Sequence, residues 1–275
     1  MDVRVAHSPD SDDAFMFYAL ATQKIPTGPY CFTHQLEDIE TLNRKAVKGE
    51  YEVTAISIHA YAYVADRYTL LPSGASMGDR YGPLVVARQA LKPEELRGMK
   101  IAIPGTMTSA FLALKLFQPD FIPVVMPFDA IMEAVVRGET DAGLLIHEGQ
   151  LTYAQSGLHR VIDMGEWWHD LTGLPLPLGG NGIRKDLGTD SIREISRLIK
   201  ESIQYALDHR EDALRHALTF ARGLEASQAD RFVSMYVNNR TLDYGEDGRK
   251  AVRLILDMAY EKGLIPKRIA VEFAE

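Results

Sequence analysis

Three of the eight histidines in the chain stand where short apolar runs stop. His147 closes A-G-L-L-I, His7 follows V-R-V-A, and His59 follows V-T-A-I-S-I. In α/β proteins, functional groups project from the carboxyl ends of strands. An imidazole with a pKa of about 6.5 can accept a proton near neutrality. His147 therefore has two readings: a core histidine with both ring nitrogens satisfied, or a general base. Its neighbour Glu148 would face the other side of a continuing strand and need not orient it. His7 and His59 are weaker candidates for ligand contact, with Ser8 and Ser57 beside them. The turn P-G-T-M-T-S leads into a helix-like run at 109–117. Its backbone N–H groups, with the hydroxyls of Thr106, Thr108 and Ser109, suit a carboxylate or another oxyanion. The simpler role is N-capping by Thr108 or Ser109. Asp10, Asp12 and Asp13 form an acidic cluster that reads better as a helix start than as a metal site. Trp167 and Trp168 could line a cleft, but such rings more often pack.

Composition narrows the function. Thirty Lys and Arg against 38 Asp and Glu give the 275 residues a net charge of −8. With no basic run, nucleic acid and anionic membrane are not expected partners. The single cysteine, Cys31, permits no internal disulfide and no thiolate-rich zinc site. In the alternating Y-C-F-T-H it reads as a small buried strand residue. The opening M-D-V-R-V-A-H-S-P has no basic and apolar signal segments, and no run is long enough for a membrane span, so a cytoplasmic protein is expected. Nucleophile elbow, phosphate loop, dinucleotide fingerprint and metalloprotease helix are all missing from the sequence. A histidine base is the simplest chemistry left.

These residues need a scaffold. Strand-like runs V-R-V-A, C-F-T-H-Q-L, V-T-A-I-S-I, P-L-V-V-A-R, K-I-A-I-P, V-V-M-P-F, G-L-L-I and R-V-I-D-M alternate with helix-like stretches. That alternation indicates an α/β protein with mostly parallel sheets. Helices are expected over 12–23, 109–117, 130–137 with Gly138 as terminator, from a Ser191–Glu194 capping box onward, and over 246–262. The stripes Ile192, Ile195, Ile199, Ile203, Ala206 and Val252, Ile255, Leu256, Ala259 should be core. Two composition breaks, A-L-K-P-E-E-L-R-G-M-K and G-L-P-L-P-L-G-G-N-G, flank the middle of the chain. They suggest a larger lobe from 1–92 and 178–275, with 93–177 inserted as a smaller lobe. That is the layout of a hinged binding protein, with its ligand in the cleft between lobes.

H-S-P-D-S-D-D-A-F-M-F-Y-A-L, L-E-D-I-E-T-L-N, G-P-L-V-V-A-R, L-L-I-H-E-G-Q-L-T-Y and T-G-L-P-L-P-L-G, in this order from about residue 4 to about 260, resemble the 1,4-dihydroxy-6-naphthoate synthase family of the futalosine route to menaquinone. The resemblance implies a two-lobed, periplasmic-binding-protein-like (type 2) fold with a central cleft and two chain crossovers. It implies a carbon–carbon lyase without metal or organic cofactor, which converts cyclic dehypoxanthinylfutalosine to 1,4-dihydroxy-6-naphthoate and dihydroxyacetone. It makes His147 the base and Ser57, Thr108 and Ser109 substrate contacts; Ser8, His59 and Thr106 are added here from their strand-end positions. The expected partner is a small molecule carrying a carboxylate, with a homodimer left open. The family's first motif usually reads S-P-C-P-N-D-T-F, so Asp10, Ser11, Asp12 and Ala14 depart from it, and the added negative charge bears on which substrate fits. The alternatives are chorismate dehydratase, whose S-Y-L-N-T is missing near the first strand, and a non-catalytic solute-binding protein of the same fold.

Overall fold

The computed structural model describes residues 1–220 and 225–274. Its strands form two sheets. The first holds β1 (Asp2–His7), β2 (Cys31–Leu36), β3 (Val53–Ser57), β4 (Tyr68–Leu70), β5 (Ser76–Gly78) and the long β11 (Leu176–Arg184), in the order β2-β1-β3-β11-β4 with β5 also paired to β11. The second holds β6 (Leu84–Ala87), β7 (Lys100–Ile103), β8 (Ile122–Val125), β9 (Ala142–Leu145) and β10 (His159–Asp163), in the order β10-β6-β9-β7-β8. L-V-V-A of β6 and A-G-L-L of β9 are buried along their whole length, as expected of apolar strands covered on both faces. β2 lies at the margin of its sheet, and Cys31 at its start is exposed, not buried as its alternating context suggested.

Both sheets are mixed. β1 runs parallel to β2 and β3, and β7 parallel to β8 and β9. β6 is antiparallel to β9 and β10, and β11 to β3, β4 and β5. These two strands correct the expectation of mostly parallel sheets. Each is the strand on which the chain enters a lobe after crossing, and it runs against the strands it pairs with. β6 lies in the second sheet, so the first crossing falls between Gly78 and Leu84 and not near residue 92. The Pro/Gly stretch expected to be a linker is β11 itself, in the middle of the first sheet. Its glycines permit close approach: a Cβ on Gly180 would lie 2.0 Å from the Tyr244 hydroxyl, and one on Gly182 would lie 2.4 Å from Ile56 Cδ1. The two crossings run side by side, with Leu176 opposite Gly78.

Helices pack on these sheets. In the first lobe they are α1 (Ser11–Met16), α2 (Tyr18–Ala21), α3 (Ile39–Lys48) and α4 (Ile58–Val64), and in the second α5 (Ser109–Phe117), α6 (Ile131–Arg137), α7 (Gly149–Thr152) and α8 (Met164–Thr172). After β11 come α9 (Thr189–Asp208), α10 (Arg210–Leu218), α11 (Ala226–Tyr236), α12 (Asn239–Leu242) and α13 (Gly245–Glu261). The single helix expected over 12–23 is interrupted at Phe17, which separates α1 from α2. α6 ends on Gly138 at φ +77°, a left-handed terminator. α9 starts at Thr189 after Gly188, so Ser191 lies inside the first turn; Glu194 pairs with Arg197, and no box forms. Ile195, Ile199, Ile203 and Ala206 are fully buried with Phe15 and Phe17 in a core under α1 and α2, and Ile192 packs at its edge. Val252, Ile255, Leu256 and Ala259 belong to a second core, which continues through Tyr61 of α4 and Leu112 of α5 to Trp168 of α8. The lobes therefore share apolar packing through α4 and α5. None of the described helices is long and apolar enough to cross a membrane.

Candidate active site

A cleft of about 740 Å³, measured out to its open mouth, lies between the lobes. His147 lines it. β9 stops at Leu145, and the backbone of His147 then takes φ +52°, a left-handed conformation rare for a residue with a side chain. Such a conformation costs on the order of 1–3 kcal/mol and persists only when its surroundings hold it. Here they do. His147 Nδ1 lies 3.0 Å from Asp10 Oδ2 in the other lobe. The Phe128 ring meets the imidazole edge-on at 4.8 Å. With its amide nitrogen turned toward the Gly82 carbonyl (2.7 Å), Gln150 accepts the His147 N–H (3.2 Å), and Tyr236 braces Gln150 from α11. The turn also removes Glu148 from any strand. It flanks α7 and raises the His147 pKa through its charge, so it is an electrostatic neighbour, not a residue facing the far side of a sheet.

The aspartates explain the charge state of this histidine. Asp10 caps α1, its side chain accepting from Asp13 N. The reading of the cluster as a helix start is correct, and it is incomplete. Burial pushes the Asp10 pKa up, but the charge and hydrogen bond of His147 outweigh it, and the net shift is downward. Burial likewise pushes His147 down, and the Asp10 charge and hydrogen bond carry it above its ordinary 6.5. Asp10 is thus the ionised acceptor for Nδ1–H. Nε2 is left with no hydrogen bond among the described residues, on a side chain 16% exposed. Burial, then the charges of Asp10 and Asp13, hold Asp12 well above the usual carboxylate range. Burial and Asp10 do the same for Asp13, which accepts the Ser8 N–H at 2.7 Å. Asp10, Asp12 and His147 each bring one ligand atom within 4.8 Å of the others, so this trio has the reach of a metal site. A cation there would displace the protons these groups share.

Across the cleft, Ser57 ends β3 and Thr108 caps α5. Thr108 Oγ1 accepts from Phe111 N and donates to the Gly105 carbonyl, while Ser109 Oγ donates to the Leu178 carbonyl and accepts from His59 N. Both hydroxyls are thus committed to structure. The groups left for a ligand are the Ser109 and Ala110 amides, which have no partner within the helix, and the Ser57 hydroxyl. All three residues line the cleft. Capping and oxyanion binding therefore coexist at this turn. Two residues not singled out in the sequence hold it in place. Asn43 is fully buried; its Oδ1 accepts from Ser57 N and its Nδ2 donates to Ser57 Oγ, both at 2.9 Å. Glu40 accepts the Met107 N–H at 3.0 Å, pressed so close to Gly105 that a Cβ there would lie 2.2 Å from its carboxylate. Both belong to L-E-D-I-E-T-L-N, where buried polar residues on an otherwise amphipathic helix were the available signal.

The structure brings together Ser8, Ser57, Thr108, Ser109 and His147. It leaves His59 and Thr106 outside the cleft lining. His59 is buried between α4 and α5, its Nδ1 3.3 Å from the Thr108 carbonyl and its ring facing Phe111. Burial drops its pKa to about 4. Thr106 sits half-buried in the turn before the cap. His7 is stacked on Phe17 and bonded to His34, and burial lowers it to about 4 as well. Trp168 is fully buried and donates to the Pro175 carbonyl, and Trp167 packs on Phe117, so both are core.

Known proteins share this chain's sequence and shape. A family described as menaquinone biosynthesis matches residues 3–261. The 1,4-dihydroxy-6-naphthoate synthase of Thermus thermophilus is 42% identical over 262 residues, covering 95% of each chain. The synthase of Streptomyces coelicolor is 38% identical over 270 residues, covering 96% of this chain and 95% of that one. A crystal structure of an Archaeoglobus fulgidus protein superposes with a TM-score of 0.92 at 51% identity, covering 96% of this chain and 98% of its own. The alkanesulfonate-binding protein of Xanthomonas axonopodis superposes with a TM-score of 0.73 at 15% identity over 98% of this chain and 96% of its own, a likeness of fold. The fold is therefore two-lobed and periplasmic-binding-protein-like, and the chain belongs to the menaquinone-biosynthesis family.

Proposed function

We propose that this protein is a 1,4-dihydroxy-6-naphthoate synthase, an enzyme that cleaves cyclic dehypoxanthinylfutalosine to 1,4-dihydroxy-6-naphthoate and dihydroxyacetone. The observation that carries the reading is His147, which lines the cleft between the lobes just past the end of β9 with its Nδ1 3.0 Å from Asp10 Oδ2. The relatives' names agree with it.

The substrate is a largely apolar bicyclic body with a carboxylate at one end and a sugar-derived ring at the other. The carboxylate fits the Ser109 and Ala110 amides and the Ser57 hydroxyl, where the α5 dipole favours negative charge. The apolar body fits against Ile39, Ile56, Ile146 and Leu178, which line the same cleft. His147 Nε2 then removes a substrate proton. A well-placed base contributes roughly 10²–10⁴-fold, and most when its pKa is near the working pH. Asp10 supports that step twice, by fixing the Nδ1–H tautomer and by restoring the basicity that burial would remove. Gained aromaticity in the product drives the bond cleavage, so the reading needs neither cofactor nor metal.

The test is incubation of the purified protein with cyclic dehypoxanthinylfutalosine. Formation of 1,4-dihydroxy-6-naphthoate with an equal amount of dihydroxyacetone supports the reading. A folded preparation that yields neither rules it out, and dehydration of chorismate instead would identify the sister activity.

A further inference from the structure

We propose that Asn181 is a substrate contact: its side-chain amide donates a hydrogen bond to an oxygen on the ring remote from the carboxylate, and so fixes how the bicyclic body lies in the cleft. The inference rests on the synthase reading and deepens it, by naming the group that reads the oxygen-bearing ring. The product carries its two hydroxyls on one ring and its carboxylate on the other, so a site that holds only the carboxylate leaves the far ring unread.

The first observation is an unmet donor. Asn181 lines the cleft while only 1% exposed, and its Nδ2 has no hydrogen-bond partner among the described residues. Its backbone is spent on the sheet, the carbonyl accepting the Leu71 N–H at 2.8 Å. Folding gives no reason for an amide here. Asn is disfavoured in strands, and a buried donor without an acceptor destabilises the fold, whereas an apolar group of the same shape does not. Two described residues lining the cleft carry such an unpaired buried atom, Asp12 and Asn181. Asp12 shares a hydrogen bond with Asp10, which leaves Asn181 as the donor.

The second observation is register. β11 pairs with β3 so that Gly179 is opposite Ser57 and Asn181 opposite Ala55. Opposite residues share a face, as do alternate residues along a strand. Ser57, Ala55 and Asn181 therefore lie on one face, while Gly180 and Gly182 turn to the other, toward Tyr244 and Ile56. Ser57 and Asn181 are diagonal neighbours across the pair, a separation of about 7–8 Å. A fused bicyclic body spans that gap. With its carboxylate on Ser57 and the α5 amides, its far ring reaches Asn181.

The third observation is how the amide is held. Gly74 stands at φ +83°, and a Cβ there would lie 2.0 Å from Asn181 Nδ2. Only a glycine leaves room for this side chain. The Gly74 N–H donates to the Thr241 carbonyl at 2.6 Å, which ties the turn to α12. Shape, not hydrogen bonding, thus keeps the amide in place and its donor free. Met16 of α1, Ala55 and Phe232 of α11 line the same cleft and supply apolar walls around the ring. A single hydrogen bond among such walls orients a flat ligand more than it tightens it.

The test is a binding cycle with two ligands, 1,4-dihydroxy-6-naphthoate and 2-naphthoate, which has the same rings and carboxylate but no hydroxyls. Calorimetric titration under anaerobic conditions compares the wild type with Asn181→Leu, of similar shape, and with Asn181→Ala, which cannot overpack. Both variants should bind the dihydroxy compound roughly 5–10-fold more weakly, the worth of one hydrogen bond, and 2-naphthoate as the wild type does. Asn181→Leu should keep or raise Tm, because it removes an unpaired buried donor. A wild type that binds the two ligands equally overturns the proposal, as do variants that hold the dihydroxy compound with wild-type affinity. A lowered Tm with both ligands weakened alike assigns Asn181 to the scaffold and overturns it too. Turnover separates this proposal from the reading beneath it: a wild type that binds both ligands as expected but makes no product refutes the synthase reading and leaves the ring contact standing.

Discussion

Replacing Asp10 with Asn asks what the carboxylate does for His147. Asn is as good an N-cap as Asp, so α1 should keep its start. It also keeps an oxygen for Nδ1–H. What it removes is the charge. The protein supplies its own measure of that loss. His7 and His59 are buried histidines without a carboxylate on the ring, and each is pushed to about 4. His147 is as deeply placed, yet Asp10, with smaller help from Glu148 and Asp13, holds it above 6.5. Asp10→Asn should therefore lower the His147 pKa, toward the range of the other two buried histidines. A weaker base moves less proton in the transition state, so kcat should drop about 10–100-fold at its plateau. The acid limb of the pH profile should move to lower pH. The imidazole resonances of His147, followed by NMR from acid to neutral pH, report the shift directly, and steady-state turnover reports its cost. A His147 titration that is unchanged in Asp10→Asn would show that the 3.0 Å contact does not set its charge, and the electrostatic argument would fail.

Two further outcomes are expected. Ser57→Ala removes a cleft-facing hydroxyl but leaves Asn43 bonded to the backbone, so it should raise KM roughly 5–10-fold, one hydrogen bond's worth, with little change in kcat; a fall in kcat at constant KM would place Ser57 at the reacting centre instead. The carboxyls of Asp12 and Asp13 are raised in the folded state, so between the ordinary carboxylate pKa of 3.8 and their folded values the native protein binds more protons than the unfolded chain. Stability must then fall as pH rises through that window. His147, also raised, adds a loss above 6.5. Tm should be higher in mildly acidic than in alkaline buffer, and Asp12→Asn should flatten the slope; a steeper slope would contradict the charge assignment.

Much of the scaffold was legible because its signals are local. A-G-L-L, the stripes of α9 and α13, the S-A-F-L-A-L-K-L-F helix and the Gly138 stop need only short-range periodicity and turn chemistry. β11 was hidden because L-P-L-G-G-N-G lacks the β-branched residues by which strands are read. Its glycines answer to Ile56 and Tyr244, which are distant in sequence. The site was half legible for the same reason. The position of His147 at a strand end is local, whereas its partner, Asp10, is 137 residues away and reads as an ordinary helix cap. The histidines themselves are alike in sequence context, and only burial and the contacts of the ring separate the cleft-lining one from the two packed behind it. Thr108 and Ser109 were chosen for their hydroxyls, yet those hydroxyls are spent on the turn, and the amides they free face the cleft.

The placement of a base at the lobe interface is tested most directly by His147→Ala, with product formation and ligand binding measured on the same preparation. Turnover of cyclic dehypoxanthinylfutalosine should fall by about 10²–10⁴-fold, while calorimetric titration with the product gives a Kd within a few-fold of wild type, because the carboxylate end is held by α5 and Ser57. Wild-type turnover in a folded His147→Ala protein would contradict it.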